Sequence, residues 1–196
     1  MPSNLTNYIV TPLNDPQIPR ELKGASFERW VSGYYDHAIL PDADLGTYTF
    51  DELTKMLVYS AVDDSSPEHV ATIDRLTTAQ RADIVDESVT VRSHLDFVAV
   101  DRAVYGQIQR EALWNATVWP NLRVSALWCD MSVPETCLAA WYLARQLRTW
   151  PQGAREVELV RFRGANHFVS RLHLRVSGIT DARMITSSLS GIHPSA

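Results

Sequence analysis

A chain of 196 residues has the length of one domain with room for an attached lid. Its 45% apolar and 21% charged residues exclude a disordered chain, and a net charge of −5 without a basic cluster argues against nucleic acid as a partner. No apolar run approaches the ~20 residues of a bilayer span. Met1 to Asn7 show no charged stretch leading into an apolar core, so the expectation is no membrane partner and a cytoplasmic location.

Residues 1–50 are rich in breakers. Pro12, Pro16, Pro19 and Pro41 punctuate them, and Asn14-Asp15-Pro16 is a turn signal. The spacing of Phe27, Trp30, Val31 and Tyr34 predicts a short helix from Ser26 to Tyr34. The aromatics Trp30, Tyr34, Tyr35, Tyr48 and Phe50 predict a loop-rich segment that packs onto something larger.

Residues 51–116 read mostly as helix. Phe50, Leu53 and Met56-Leu57 form an apolar stripe. Asp63-Asp64-Ser65-Ser66-Pro67 breaks it, and Pro67 suits the first position of a new helix. Thr77 and Gln80 have the spacing of a capping box. A further helix is expected from about Asp101 to Trp114, with Val104, Ile108 and Ala112 on one face. Residues 90–100 are too mixed to assign.

Residues 118–169 differ in kind. A turn at Pro120-Asn121 precedes a strand predicted over 122–128. Pro134 marks a helix start, and Ala140, Leu143, Ala144 and Leu147 supply its apolar face. Pro151-Gln152-Gly153 ends that helix, and a second strand is predicted over 156–162. Strand, helix and strand with short links imply a right-handed crossover and a parallel pair. Residues 170–196 lose the pattern, and their end is expected to be mobile.

Parallel strands deliver their carboxyl ends to one edge, where open α/β sheets carry their chemistry. The first strand ends at Asp130. The second ends at Gly164-Ala165-Asn166-His167, which puts an imidazole with a near-neutral pKa on the edge. Cys129 and Cys137 read as reduced thiols. His37, His69, His94, His173 and His193 lack ligand spacing, so neither a metal site nor a cofactor is expected. The tryptophans read as packing residues. Asn4-Leu5-Thr6 and Asn115-Ala116-Thr117 read as chance matches to the glycosylation pattern.

Two segments carry a family resemblance, Trp119 to Ser132 and Val160 to Phe168. They resemble the acid loop and histidine loop of fungal AB hydrolase-1-type members of the α/β-hydrolase fold family, in the order Ser…Asp/Glu…His. The helical region before them is similar to that family's lid. The resemblance implies an α/β class, with an incomplete hydrolase-like fold. A helical lid-like region (1–117) would precede a short parallel strand-helix-strand unit (118–169) and a divergent tail (170–196). It implies catalytic roles for His167 and for an acid, with Asp130 in the family's first acidic position. The family's catalytic carboxylate position falls on Ser132, so the acid is Asp130 on a shifted loop, or Glu135, or is lacking. No Gly-x-Ser-x-Gly occurs; Gly24-Ala25-Ser26-Phe27-Glu28 is the nearest string. The sheet strands that carry the family's nucleophile are expected to be absent. The implied substrate is a small ester-like molecule, with no activity expected from this chain alone. The alternative is a non-catalytic α/β binding or interaction module. For the incomplete hydrolase-like fold, self-association through an open sheet edge is expected; a monodisperse monomer would favour the module.

Overall fold

The computed structural model describes residues 11–40, 43–62, 66–86 and 100–168. A 3-10 turn at Arg20–Leu22 runs directly into helix α1, Lys23–Ser32. The helix expected over 26–34 therefore starts earlier and stops before Tyr34. Its end is set by Gly33, whose backbone is extended at φ −69°, ψ 169°. Beyond it the burial alternates. Tyr35, His37 and Ile39 are buried, whereas Asp36, Ala38 and Leu40 are exposed. That period of two belongs to an extended chain. Its backbone groups find partners on both sides: Tyr35 N donates to Met131 O, Ala38 N to Met56 O, and Tyr34 O accepts from Val62 N. Residues 33–40 thus form a strap threaded between the helical segments and the sheet.

Local signals set the helices that follow. Helix α2, Phe50–Met56, begins with a reciprocal capping box between Thr49 and Glu52. Its Leu53 is fully buried. Helix α3, Thr78–Ile84, begins with the expected box between Thr77 and Gln80. Arg81 of α3 pairs with Glu28 of α1 at 2.7 Å, tying the two together. Pro67 does not open a helix. Residues 66–69 are a turn, and a 3-10 turn at Thr72–Arg75 follows. Here the carbonyls of Pro67 and Glu68 accept from the Arg75 guanidinium, an alternative to helical bonding that curls the segment back. Helix α4, Arg102–Trp114, is capped by Asp101, whose side chain accepts from Ala103 N. Most of the unassigned 90–100 stretch and the tail 170–196 lie outside the described residues.

The mixed α/β character rests on the last three elements. Strand β1, Val124–Cys129, is followed by helix α5, Pro134–Leu147, and strand β2, Val157–Phe162. Pro134 occupies the first turn of α5, where its missing N–H costs nothing. The strands pair in parallel, with Val124 opposite Val157 and Cys129 opposite Phe162. Among the described residues the sheet has these two strands. Side chains alternate between its faces. Trp128 and Leu159 share the inner face and pack with Cys137, Leu138, Trp141 and Ala144 of α5. Ile39 of the strap and Leu45, Leu53 and Leu57 complete that core. Gly46 fits there because it has no side chain: a Cβ would lie 3.2 Å from Ala144 O. The opposite face is less covered. Leu127 is 57% exposed there, and Ser125 meets Glu158 in solvent. No helix among the described residues is long and apolar enough to cross a membrane.

Candidate functional site

The loops after β1 and β2 leave the same edge of the sheet and are laced together. Asp130 N donates to Phe162 O at 3.1 Å, and Met131 N to Ala165 O at 3.0 Å. These bonds extend the parallel ladder past the strands. They bring Asp130, Ser132 and the histidine loop to one place, as the strand-helix-strand pattern implies. Gly164 makes the turn at φ +65°, a left-handed conformation that favours glycine.

Asp130 serves that turn. One carboxylate oxygen accepts from Gly164 N at 2.7 Å, and the other from Arg161 Nε at 3.0 Å. Both partners belong to the β2 end, and Asp130 and Arg161 side chains are only 12% and 15% exposed. Arg161 also donates to the strap carbonyls of Ile39 and Leu40 and lies over the Trp128 ring. The carboxylate is therefore spent on shaping the histidine loop. It makes no hydrogen bond to His167.

The imidazole meets hydroxyls instead. His167 Nδ1 lies 3.3 Å from Ser132 Oγ and 3.4 Å from Thr136 Oγ1, and the two oxygens are 3.1 Å apart. Ser132 is fully buried. A triad carboxylate only accepts, so it keeps the proton on Nδ1, leaves Nε2 free as the base, and stabilises the imidazolium. A hydroxyl donates or accepts, so this pair fits either tautomer and supplies no negative charge. His167 keeps contact with solvent, yet the surrounding protein desolvates its ring enough to lower its pKa from the ordinary 6.5. The desolvation favours the neutral ring. Its Nε2 makes no hydrogen bond to any described residue.

Asn166 holds the loop in place from behind. It is buried, and its Nδ2 donates to Ser32 O at 2.6 Å and to Thr72 Oγ1 at 2.7 Å. Its Oδ1 accepts from Phe168 N. Neither Asn166 nor Thr136 is evident as a site residue from the sequence. Thr136 could be suspected from its place one helical turn beyond Ser132; the partners of Asn166 lie far away in the chain.

Glu135 is not brought to His167 either. Its Oε2 is buried without a hydrogen-bond partner, and burial raises its pKa. The same carboxyl adds to the burial that pushes Tyr35 up to about 12. Both thiols are free and buried. Burial first, and the Asp130 charge second, push Cys129 up to about 11 and Cys137 up to about 12. Neither is a thiolate nucleophile near neutral pH. No cluster of metal-ligating side chains occurs among the described residues.

A cleft of about 490 Å³ lies between the inner face of β2 and the end of α5, lined by Leu45, Trp128, Leu147, Leu159 and Arg161 among others. Ser132, Thr136 and His167 do not line it. Compared with known proteins, the chain matches no family model, no curated protein and no solved structure.

Proposed function

We propose that this chain carries the acid-loop and histidine-loop half of an α/β-hydrolase-like fold, behind a lid-like helical region, and that it hydrolyses no ester by itself. One observation carries the reading. His167 follows the second parallel strand on a glycine turn, yet its Nδ1 faces Ser132 and Thr136 rather than a carboxylate. The sequence adds a second reason, since it contains no Gly-x-Ser-x-Gly elbow. A histidine without its acid is a weak base, and a base without a nucleophile has nothing to activate. The family's substrates, esters or related acyl compounds, would then bind without turnover or not at all. The test is release of p-nitrophenol from short-chain p-nitrophenyl esters by the purified protein. The expected rate equals that of buffer. Turnover that disappears in His167→Ala would overturn the proposal.

A second reading has one observation in its favour. Leu127 is 57% exposed on the less covered face of the sheet, with Val160 and Phe162 half-buried beside it. Parallel sheets are normally covered on both faces. A non-catalytic module that pairs with a second copy through this face and the adjoining strand edge would account for it.

A further inference from the structure

His37 lies in the strap, far in sequence from the loops that hold His167, and it is buried. Both ring nitrogens are engaged with the backbone. Nδ1 is 2.9 Å from Val58 N, and Nε2 is 2.8 Å from Ser132 O. These partners leave no freedom. An amide N–H only donates, so Nδ1 must be unprotonated and accept. A carbonyl only accepts, so Nε2 must carry the proton and donate. The geometry therefore defines a neutral imidazole with its proton on Nε2.

Ser132 is the residue shared by the two histidines. Its carbonyl is held by His37, and its hydroxyl meets His167 Nδ1. Its neighbour Met131 is also held by the strap, through Tyr35 N. We propose that His37 is a positioning residue for His167, acting through Ser132, and that it does so only as the neutral, Nε2-protonated ring. The proposal rests on the reading of His167 as the imidazole of the hydrolase-like histidine loop.

Protonation would turn Nδ1 into a donor facing the Val58 N–H, two donors 2.9 Å apart. The ring would have to leave, and Ser132 would lose its clamp. The charged groups facing His37 are Asp130 after β1 and Asp36 beside it on the strap. From the segment after α2 it accepts from the Val58 amide, and its stacking partner, Tyr35, remains neutral with its hydroxyl on Trp30 O. Burial outweighs the Ser132 carbonyl and the two carboxylates, and lowers the pKa below the ordinary 6.5. The sign follows. A folded-state pKa below the unfolded value gives stability that is complete above 6.5 and lost as pH falls through the folded value.

The test is a long-range ¹H–¹⁵N spectrum of the ¹⁵N-histidine-labelled full chain, titrated from about pH 8 to about pH 5. His37 should show the Nε2–H tautomer and stay neutral below the ordinary histidine midpoint. The His167 signals should show a second inflection at the midpoint of His37. His37→Gln, which keeps one donor and one acceptor, should preserve the His167 signals; His37→Ala should shift them. The Nδ1–H tautomer at His37, or a His167 titration with no inflection at the His37 midpoint, would overturn the proposal even if His37→Ala does not fold. Ester turnover plays no part in these readings, so this proposal and that of a silent hydrolase-like site fail separately.

Discussion

Replacing Ser132 by aspartate would place a carboxylate where a hydroxyl now meets His167. Ser132 Oγ is 3.3 Å from Nδ1, and the longer side chain can close that to a charge-assisted bond. Two unit charges ~4 Å apart attract by ~4 kcal/mol at an effective dielectric of ~20. Fully realised, that would be ~3 pK units. His167 keeps contact with solvent, so about half should survive, giving a rise of roughly 1–2 units. The wild-type ring starts below 6.5 because burial disfavours its charge, and the carboxylate opposes that shift. The cost falls on the new carboxylate. Ser132 is 0% exposed, so the new charge should cost several kcal/mol of desolvation, only part of which its pairing with the imidazole returns. The pH dependence associated with His167 should shrink or reverse. Now its contribution is present above 6.5 and lost as pH falls; with a raised pKa it would be present at low pH and lost as pH rises through the new value. The assay is an NMR titration of His167 in wild type, Ser132→Asp and the neutral control Ser132→Asn. A folded Ser132→Asp protein whose His167 midpoint is unchanged or lower would refute the assignment of Ser132 to the acid's place.

Two further outcomes are expected. Arg155 is 5% exposed and donates to the carbonyls of Ala112, Asn115, Val118, Trp119 and Leu122, joining the end of α4 to a loop in which Trp119 holds φ +55°. Water can reach those exposed residues, so Arg155→Met should lose about 2–4 kcal/mol in urea unfolding, less than the separate bonds would suggest; a loss under about 0.5 kcal/mol would show that the clamp is idle. In sedimentation, pairing through the sheet predicts a dimer that weakens with Leu127→Lys, whereas a monodisperse monomer at all concentrations removes self-pairing through the sheet.

Much of the local structure was legible because its causes are local. The Thr77–Gln80 box and Pro134 at a helix start each act within one helical turn. The two strands were readable from their runs of branched and apolar residues, and their parallel pairing from the helix between them. Pro67 failed for the opposite reason: the Arg75 guanidinium takes up the nearby carbonyls. The strap failed too. Tyr34 continues the helical spacing of Phe27 and Trp30, but Tyr35, His37 and Ile39 pack outside a helix, Tyr35 N on Met131 O, His37 between Val58 N and Ser132 O, and Ile39 O under Arg161.

The site divides in the same way. The sequence alone determined that His167 follows a strand on a glycine turn and that a carboxylate and a serine follow the other strand, because those facts depend on order and spacing. Tertiary structure alone decided their roles. Arg161 and the Gly164 amide draw Asp130 into the turn, and the first turn of α5 sets Thr136 beside Ser132 against the imidazole. Hydrogen bonds reach only about 3 Å, so which partner a side chain finds depends on where the packed core brings distant segments together.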